Sequence, residues 1–293
     1  MQQFYQLFVS GLLMGGVLAM LASGLALIFG VMRVINFAHG DFVVLGMYFA
    51  VLGHGWLPVN PLILGVGAFV VVGVVGAFVQ RILVSRVTGS DEAKSHKGQI
   101  IMTLGVALVI QNLLLMTVGP NSRVLRLGVS RSSFEVGGVF INQARLLASI
   151  TAVAMTAALF LFLAKTRTGR SLRAAADDPV AATYVGIDVT RAHMLAFGIS
   201  TGMAATGGVL LVTFFAVNPF VSFDFVILLF VAVVLGGLGS ITGAFFGGLI
   251  IGLVQSLSLL WIPLEIQTLS IFVVFLAVLL IRPQGLLGNS VRA

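Results

Sequence analysis

Cysteine is absent from the 293 residues, which excludes disulfides and thiolate metal sites and leaves the redox compartment without a cysteine signal. Charge is scarce as well: 9% of residues are charged, against roughly 25% in a soluble domain. The lysines are Lys94, Lys97 and Lys165, and none completes a Gly-Lys-Ser/Thr phosphate loop, so the chain has no P-loop of its own for hydrolysing ATP. Gly-x-Ser-x-Gly and His-Glu-x-x-His are missing too, and the four histidines are scattered. No catalytic constellation or metal-ligand spacing is present, and an enzyme is not the expected class.

What the chain has instead is hydrocarbon. Hydrophobic residues make up 59% of it, and nine apolar runs are separated by short polar segments: 7–31, 37–53, 61–80, 99–118, 145–164, 194–217, 224–238, 241–259 and 264–281. A full helical crossing needs about 20 such residues. The expectation is an all-α polytopic membrane protein, a single domain over 1–293, with about 8–9 transmembrane helices. Two runs are short. One is strictly apolar only from Phe42 to Leu52 and the other ends on glycines, so both are expected to be broken or re-entrant helices. The first run lacks a basic n-region and a cleavage site, and reads as a retained helix.

The net charge of +7 lies in loops between apolar runs, a distribution that excludes nucleic acid as a partner. If all nine runs cross, twelve basic residues fall on one side and four (Arg123, Arg126, Arg131, Arg145) on the other. By the positive-inside rule the C-terminus is cytoplasmic and the N-terminus extracytoplasmic.

Three loops carry patterns. In the outer loop, 119–143, "FEVGGVFI" sets Gly137-Gly138 between two apolar stubs, a hairpin signal; the hairpin is either a lid or a docking feature. The stretch 85–98, of mixed charge with Gly and Ser, reads as a solvated linker. The inner loop, 165–193, has alanine-rich helix formers from Ser171 to Ala176. Asp177 or Asp178 then caps a second short helix with Pro179 at its first position, and Gly186 ends it. Neither helix is stable alone, so the pair needs a partner surface or the underside of the membrane domain; lying on lipid headgroups is the other reading.

Inside the runs, Gly11/Gly15, Gly198/Gly202, Gly243/Gly247 and Gly248/Gly252 have the four-residue spacing of close helix packing. Gly236, Gly237, Gly239 and Ser240 are too dense for packing alone and mark a sharp non-helical connection, a turn or a hinged gate. Asp224 and Glu265 sit at helix starts. The polar island "INFAHGD", 35–41, reads as the junction of two helices, with Asn36 as N-cap and Asp41 just past the first turn. Capping does not explain His39 beside Gly40. Asn36 and His39 are therefore assigned to the translocation path or its inner gate, with Gly40 permitting close backbone approach.

Taken together, "INFAHGD", "GRSLRAAADDPVAATYVGI", "VNPF", "AVVLGGLGSITGAFFGG" and "RPQGLLG" are five blocks in order from residue 35 to 288. The chain resembles the membrane permease subunits of ABC importers for branched-chain amino acids and related small solutes such as urea and short amides. The resemblance implies a multi-pass protein of a bacterial-type inner membrane, in contact with lipid. It implies three kinds of partner: a second homologous permease, two cytoplasmic ATPases that bind the ATP and Mg, and an extracytoplasmic substrate-binding protein. No cofactor is expected in this chain. The 165–193 loop would be the coupling element, with Gly169, Arg170, Arg173, Ala174, Asp177, Ala181 and Gly186 at the ATPase contact. Asn218 of "VNPF" would join Asn36, His39, Gly40, Gly236, Gly237 and Gly239 along the pathway or gate. An ion-coupled secondary transporter, or a passive channel, is the alternative class; few membrane carboxylates and a folded inner loop argue against the first.

Overall fold

The computed structural model describes residues 1–56, 60–87, 92–125 and 132–288. Among these, α1 (Gln2–Met32), α2 (His39–Trp56), α3 (Pro61–Val79) and α4 (Glu92–Val118) precede a hairpin of β1 (Ser133–Val136) and β2 (Val139–Asn142). Then follow α5 (Gln143–Lys165), α6 (Arg167–Asp177), α7 (Pro179–Tyr184), α8 (Val189–Leu211), α9 (Ser222–Gly236), α10 (Ile241–Ser258) and α11 (Gln267–Ile281). Among the described residues seven helices are long and apolar enough to cross a membrane, and α9 is a shorter apolar helix. The protein is a polytopic helical bundle with a two-stranded ornament.

The core lies around α1 and α8. From Val17 to Ile28 the side of α1 is almost wholly enclosed, and α8 is buried from Ser200 to Leu211. Small residues make this possible. A Cβ on Gly252 of α10 would meet the backbone of Gly15, and one on Gly198 of α8 would lie 2.9 Å from the Gly73 carbonyl of α3. The four-residue glycine spacings are thus packing seams, which matters because apolar side chains gain nothing from leaving lipid and association rests on close contact.

Where elements begin and end, polar side chains decide. Asn60, Asn142, Thr166, Asp178, Asp188 and Ser240 each accept a hydrogen bond from a first-turn N–H. Asp188 explains why α8 starts before the apolar run expected from 194. The helix also stops at Leu211, short of 217, because Val217 leaves to pair with Arg123 in an antiparallel bridge. The expected linker 85–98 is largely helical. The third helix runs on through a π-helical turn, Gln80–Val84, to Val87, and α4 already begins at Glu92; residues 88–91 lie outside the described residues. Polar helices at a membrane edge carry no apolar signal, so hydropathy ends them too early.

The Gly-Gly hairpin is present, with Gly137 and Gly138 both in the left-handed region (φ 59° and 83°). It is tied to the start of α1: Gln2 Nε2 donates to the Gly138 carbonyl, and Gln6 both donates to and accepts from the Phe140 backbone at 2.8 Å. Arg126 and Arg131, used in the charge count for the outer loop, lie outside the described residues, as does Arg292.

Candidate translocation site

The polar island sits at a break in the bundle. Arg33, in the left-handed conformation (φ 52°), ends α1, and the chain turns back along it without helix until His39. His39 Nε2 reaches 3.3 Å from the Leu21 carbonyl, which lies about three turns, ~16 Å, before the end of α1. The second helix therefore starts deep inside the protein. Asn36 is not its N-cap: the helix begins at His39, and the Asn36 side chain instead accepts from the Ala38 N–H at 3.1 Å, an Asx turn leading into it. The Thr103 hydroxyl of α4 bonds both the Phe37 N–H and the Ile35 carbonyl, each at 3.3 Å, so the non-helical stretch is held from outside.

A second helix starts at the same depth. The space a Cβ on Gly40 would occupy is taken by the Ser222 carbonyl and a Val226 methyl, so the first turns of α2 and α9 touch. Asp41 lies in the first turn of α2 and Ser222 opens α9. Gln111, from the middle of α4, joins them: its amide donates to Asp41 Oδ1 at 2.9 Å and to the Ser222 hydroxyl at 3.1 Å. All three side chains are buried, Asp41 with 2% exposure, and among the described residues the carboxylate has no cationic partner. Two helix N-termini, with their positive dipole ends, compensate it in part. Discontinuous helices whose N-termini converge on a buried polar centre are what transporters use for solute and ion sites. Asn36 Nδ2 and His39 Nδ1 of this centre are buried without a hydrogen-bond partner, as is the Tyr48 hydroxyl more than two turns further along α2.

The expected gate residues fall into two groups. Asn36, His39 and Gly40 belong to this centre. Gly236, Gly237 and Gly239 lie at the opposite end of α9, about 20 Å away for a helix of 15 residues. There Gly237 (φ 110°) and Gly239 (φ 83°) form the sharp connection to α10. The C-terminal block closes over it, the Leu286 and Leu287 N–H groups donating to the Leu235 and Gly236 carbonyls at 2.9 and 3.0 Å. Asn218 joins neither group; its side chain accepts from the Phe220 N–H at 2.9 Å and shapes the approach to α9.

Asp41, Gln111, Ser222 and Thr103 were not singled out as site residues by sequence reasoning. The available signal was Gln111, a lone amide in an apolar run, which in a membrane must find an interior partner. No cluster of metal-ligating side chains occurs among the described residues.

At the far side, α6 and α7 form the expected helical pair. Gly169 presses against the backbone of Phe162 and Leu163, Leu172 and Ala175 are fully enclosed, and the Arg173 guanidinium donates to the Leu163 carbonyl. Arg173 thus staples α6 to the end of α5, while Arg170 faces solvent. Asp178, not Asp177, caps α7, bonding the Val180 and Ala181 N–H groups at 2.8 and 3.0 Å. Ala174 is half-buried against the bundle; Asp177, Ala181 and Gly186 are exposed, and Gly186 (φ 82°) ends the pair. Val180, Tyr184 and Val185 stand out at 63%, 86% and 76% exposure.

A bundle of membrane-length helices, two shorter ones starting side by side in its interior at a buried polar centre, has the architecture of a membrane transport protein. Residues 7–281 match the family model for the permease component of branched-chain amino acid transport systems, and the chain belongs to that family. It is 32% identical to the high-affinity branched-chain amino acid transport system permease protein LivH of Escherichia coli K12, over 98% of this chain and 96% of that one. It is 28% identical to BraD of Pseudomonas aeruginosa, with the same coverage, and 27% identical to a probable LivH of Methanocaldococcus jannaschii over 92% of this chain and 88% of that one. No solved structure matches.

Proposed function

We propose that this chain is the permease subunit of an ATP-binding-cassette importer that carries branched-chain amino acids by alternating access. Its partners in that role are a second homologous permease, two cytoplasmic ATPases that bind ATP and Mg, and an extracytoplasmic binding protein. Urea and short amides are the related substrates. The family membership supports the class, and one structural observation carries the coupling: the α6–α7 pair is pinned on one face and bare on the other, where Val180, Tyr184 and Val185 project. An exposed apolar tip on a rigid mount fits a groove in a partner, and ATP-driven closure of that partner would shift the mount and the helices beneath it. In this orientation the pair and the C-terminus are cytoplasmic and the hairpin faces the binding protein.

Asp41 favours a second reading, an ion-coupled carrier, since a buried carboxylate is what such a machine titrates. Reconstitution separates the two. The proposal expects ATP-dependent leucine uptake by the full complex and none by this chain alone under a proton or sodium gradient; gradient-driven uptake by the single chain would overturn it. In the full complex, Tyr184→Ala is expected to cut substrate-stimulated ATPase activity at least about tenfold, the loss of a central aromatic anchor, at unchanged permease abundance. Unchanged stimulation would remove α7 from the coupling role.

A further inference from the structure

The end of the bundle that carries the hairpin holds a cation that the fold leaves without a counter-charge. Arg145, in the first turn of α5, lies with its guanidinium 5.5 Å from the centre of the Phe214 ring. Among the described residues it pairs with no carboxylate, and the neighbouring undescribed segment 126–131 contains none in its sequence. Two cavities adjoin it. The outer one, about 420 Å³, is bounded by Ser10, Ser133, Asn142 and Thr213, with Val9 and Leu13 on one wall. The inner one, about 180 Å³, shares Ser10, Arg145 and Phe214 and continues to Gln255, Ser256 and Gln267.

The inner cavity has a complementary defect. Gln255 Oε1 is buried and accepts no hydrogen bond. The Gln255 backbone carbonyl is already engaged by Gln267 Nε2 and the Ser258 hydroxyl, so the amide oxygen is the group left over. One wall of this space thus carries an unpaired donor cation, and just behind another lies an unpaired acceptor that a turn of the Gln255 amide brings to the cavity surface. An α-amino acid carries the matching pair, a carboxylate and an ammonium on one carbon, with an apolar side chain for Met14, Phe215 and Leu259, which line the same cavity. The Phe214 ring lies against the guanidinium in a cation–π contact, and the fork of arginine suits a bidentate grip on a carboxylate.

We infer that Arg145, Phe214 and Gln255 form an entry site for the zwitterion of an apolar α-amino acid, the carboxylate on Arg145 and the ammonium on Gln255 Oε1. The substrate identity rests on the permease reading above; the site itself rests on the two unpaired groups and the shared cavity. It lies at the end of the bundle opposite α6–α7, before the buried centre at Asp41, and so acts as the first station of the path.

The test is protection of Arg145 from phenylglyoxal, followed by peptide mass spectrometry on the purified full complex in phosphatidylcholine nanodiscs. Leucine is expected to slow modification of Arg145 at least about tenfold, as a paired guanidinium is withdrawn from reagent. Isoamylamine, which lacks the carboxylate, is expected to give no protection, and Gln255→Leu to weaken the protection by leucine. Equal modification with and without leucine overturns the site. Protection that appears only when phosphatidylglycerol replaces phosphatidylcholine also overturns it and assigns the cation to a lipid headgroup. Leucine uptake by the same complex is measured in parallel: protection without uptake leaves the site standing and removes the importer reading, and uptake without protection does the reverse. Arg145→Lys, which keeps the charge without the fork, is expected to raise the KM for leucine with little change in kcat; an unchanged KM counts against the bidentate grip.

Discussion

Gly252→Leu is expected to leave almost no folded permease in the membrane. The seam between α1 and α10 is made by Gly11, Gly15, Gly248 and Gly252, and a Cβ at Gly252 would fall on the Gly15 backbone, with the Gly11 carbonyl 2.8 Å away. Both obstacles are main chain and neither can rotate aside. The same seam carries Ser256 Oγ donating to the Leu7 carbonyl at 2.6 Å, so separating the helices breaks a hydrogen bond as well. Overpacking a core ordinarily costs about 1–3 kcal/mol, and a backbone-on-backbone clash in the most extensive helix contact of the bundle belongs at or above the top of that range. The measurement is detergent-solubilised abundance and melting temperature, with Gly55→Ala as the control, since nothing lies within 4 Å of a Cβ there. A Gly252→Leu protein that melts like the wild type would show that α1 and α10 do not meet in this register.

The second large effect is at Asp41. Removing the carboxylate with Asp41→Ala leaves one N–H of the buried Gln111 amide without its acceptor, at a cost of about 1–3 kcal/mol, and cuts α2 out of the link that Gln111 makes to Ser222. Uptake and stability are both expected to fall. Asp41→Asn separates the two roles: its side-chain oxygen can still accept from Gln111, so the melting temperature is expected to stay close to the wild type, while uptake falls at least about tenfold because the charge between two helix N-termini is gone. Full transport by Asp41→Asn would reduce the cluster to a structural latch between α2, α4 and α9.

Much of the architecture was legible in the residues. The apolar runs located the helices, and the Gly-Gly pair located the hairpin. Thr166, Asp178, Pro179 and Gly186 delimit the α6–α7 pair by short-range chemistry that operates within four residues. The glycine repeats marked the faces that touch. Helix edges were less legible where they are polar: 85–98 looked like a linker because hydropathy registers the hydrocarbon and not the helix that continues beyond it.

The candidate site was legible in half. "INFAHGD" announced a junction, and the structure places Asn36, His39 and Gly40 in one buried centre. The same reasoning grouped Gly236, Gly237 and Gly239 with them, although a whole helix lies between. It passed over Gln111 and Ser222, which are far from the island in sequence, and it treated Asp41 as ordinary helix-start electrostatics.

By itself, then, the sequence determined that this chain lives in lipid as a bundle of crossing helices and presents a capped helical pair at one end. Those properties follow from composition and from interactions between near neighbours along the chain. Only the tertiary structure decided that α2 and α9 begin side by side in the interior, that Gln111 ties Asp41 to Ser222, and that Arg145 and Gln255 face one cavity. Such pairings span tens to more than a hundred residues of sequence. They are set by how closely glycine-lined helices approach one another, and that distance is a property of the whole packed bundle.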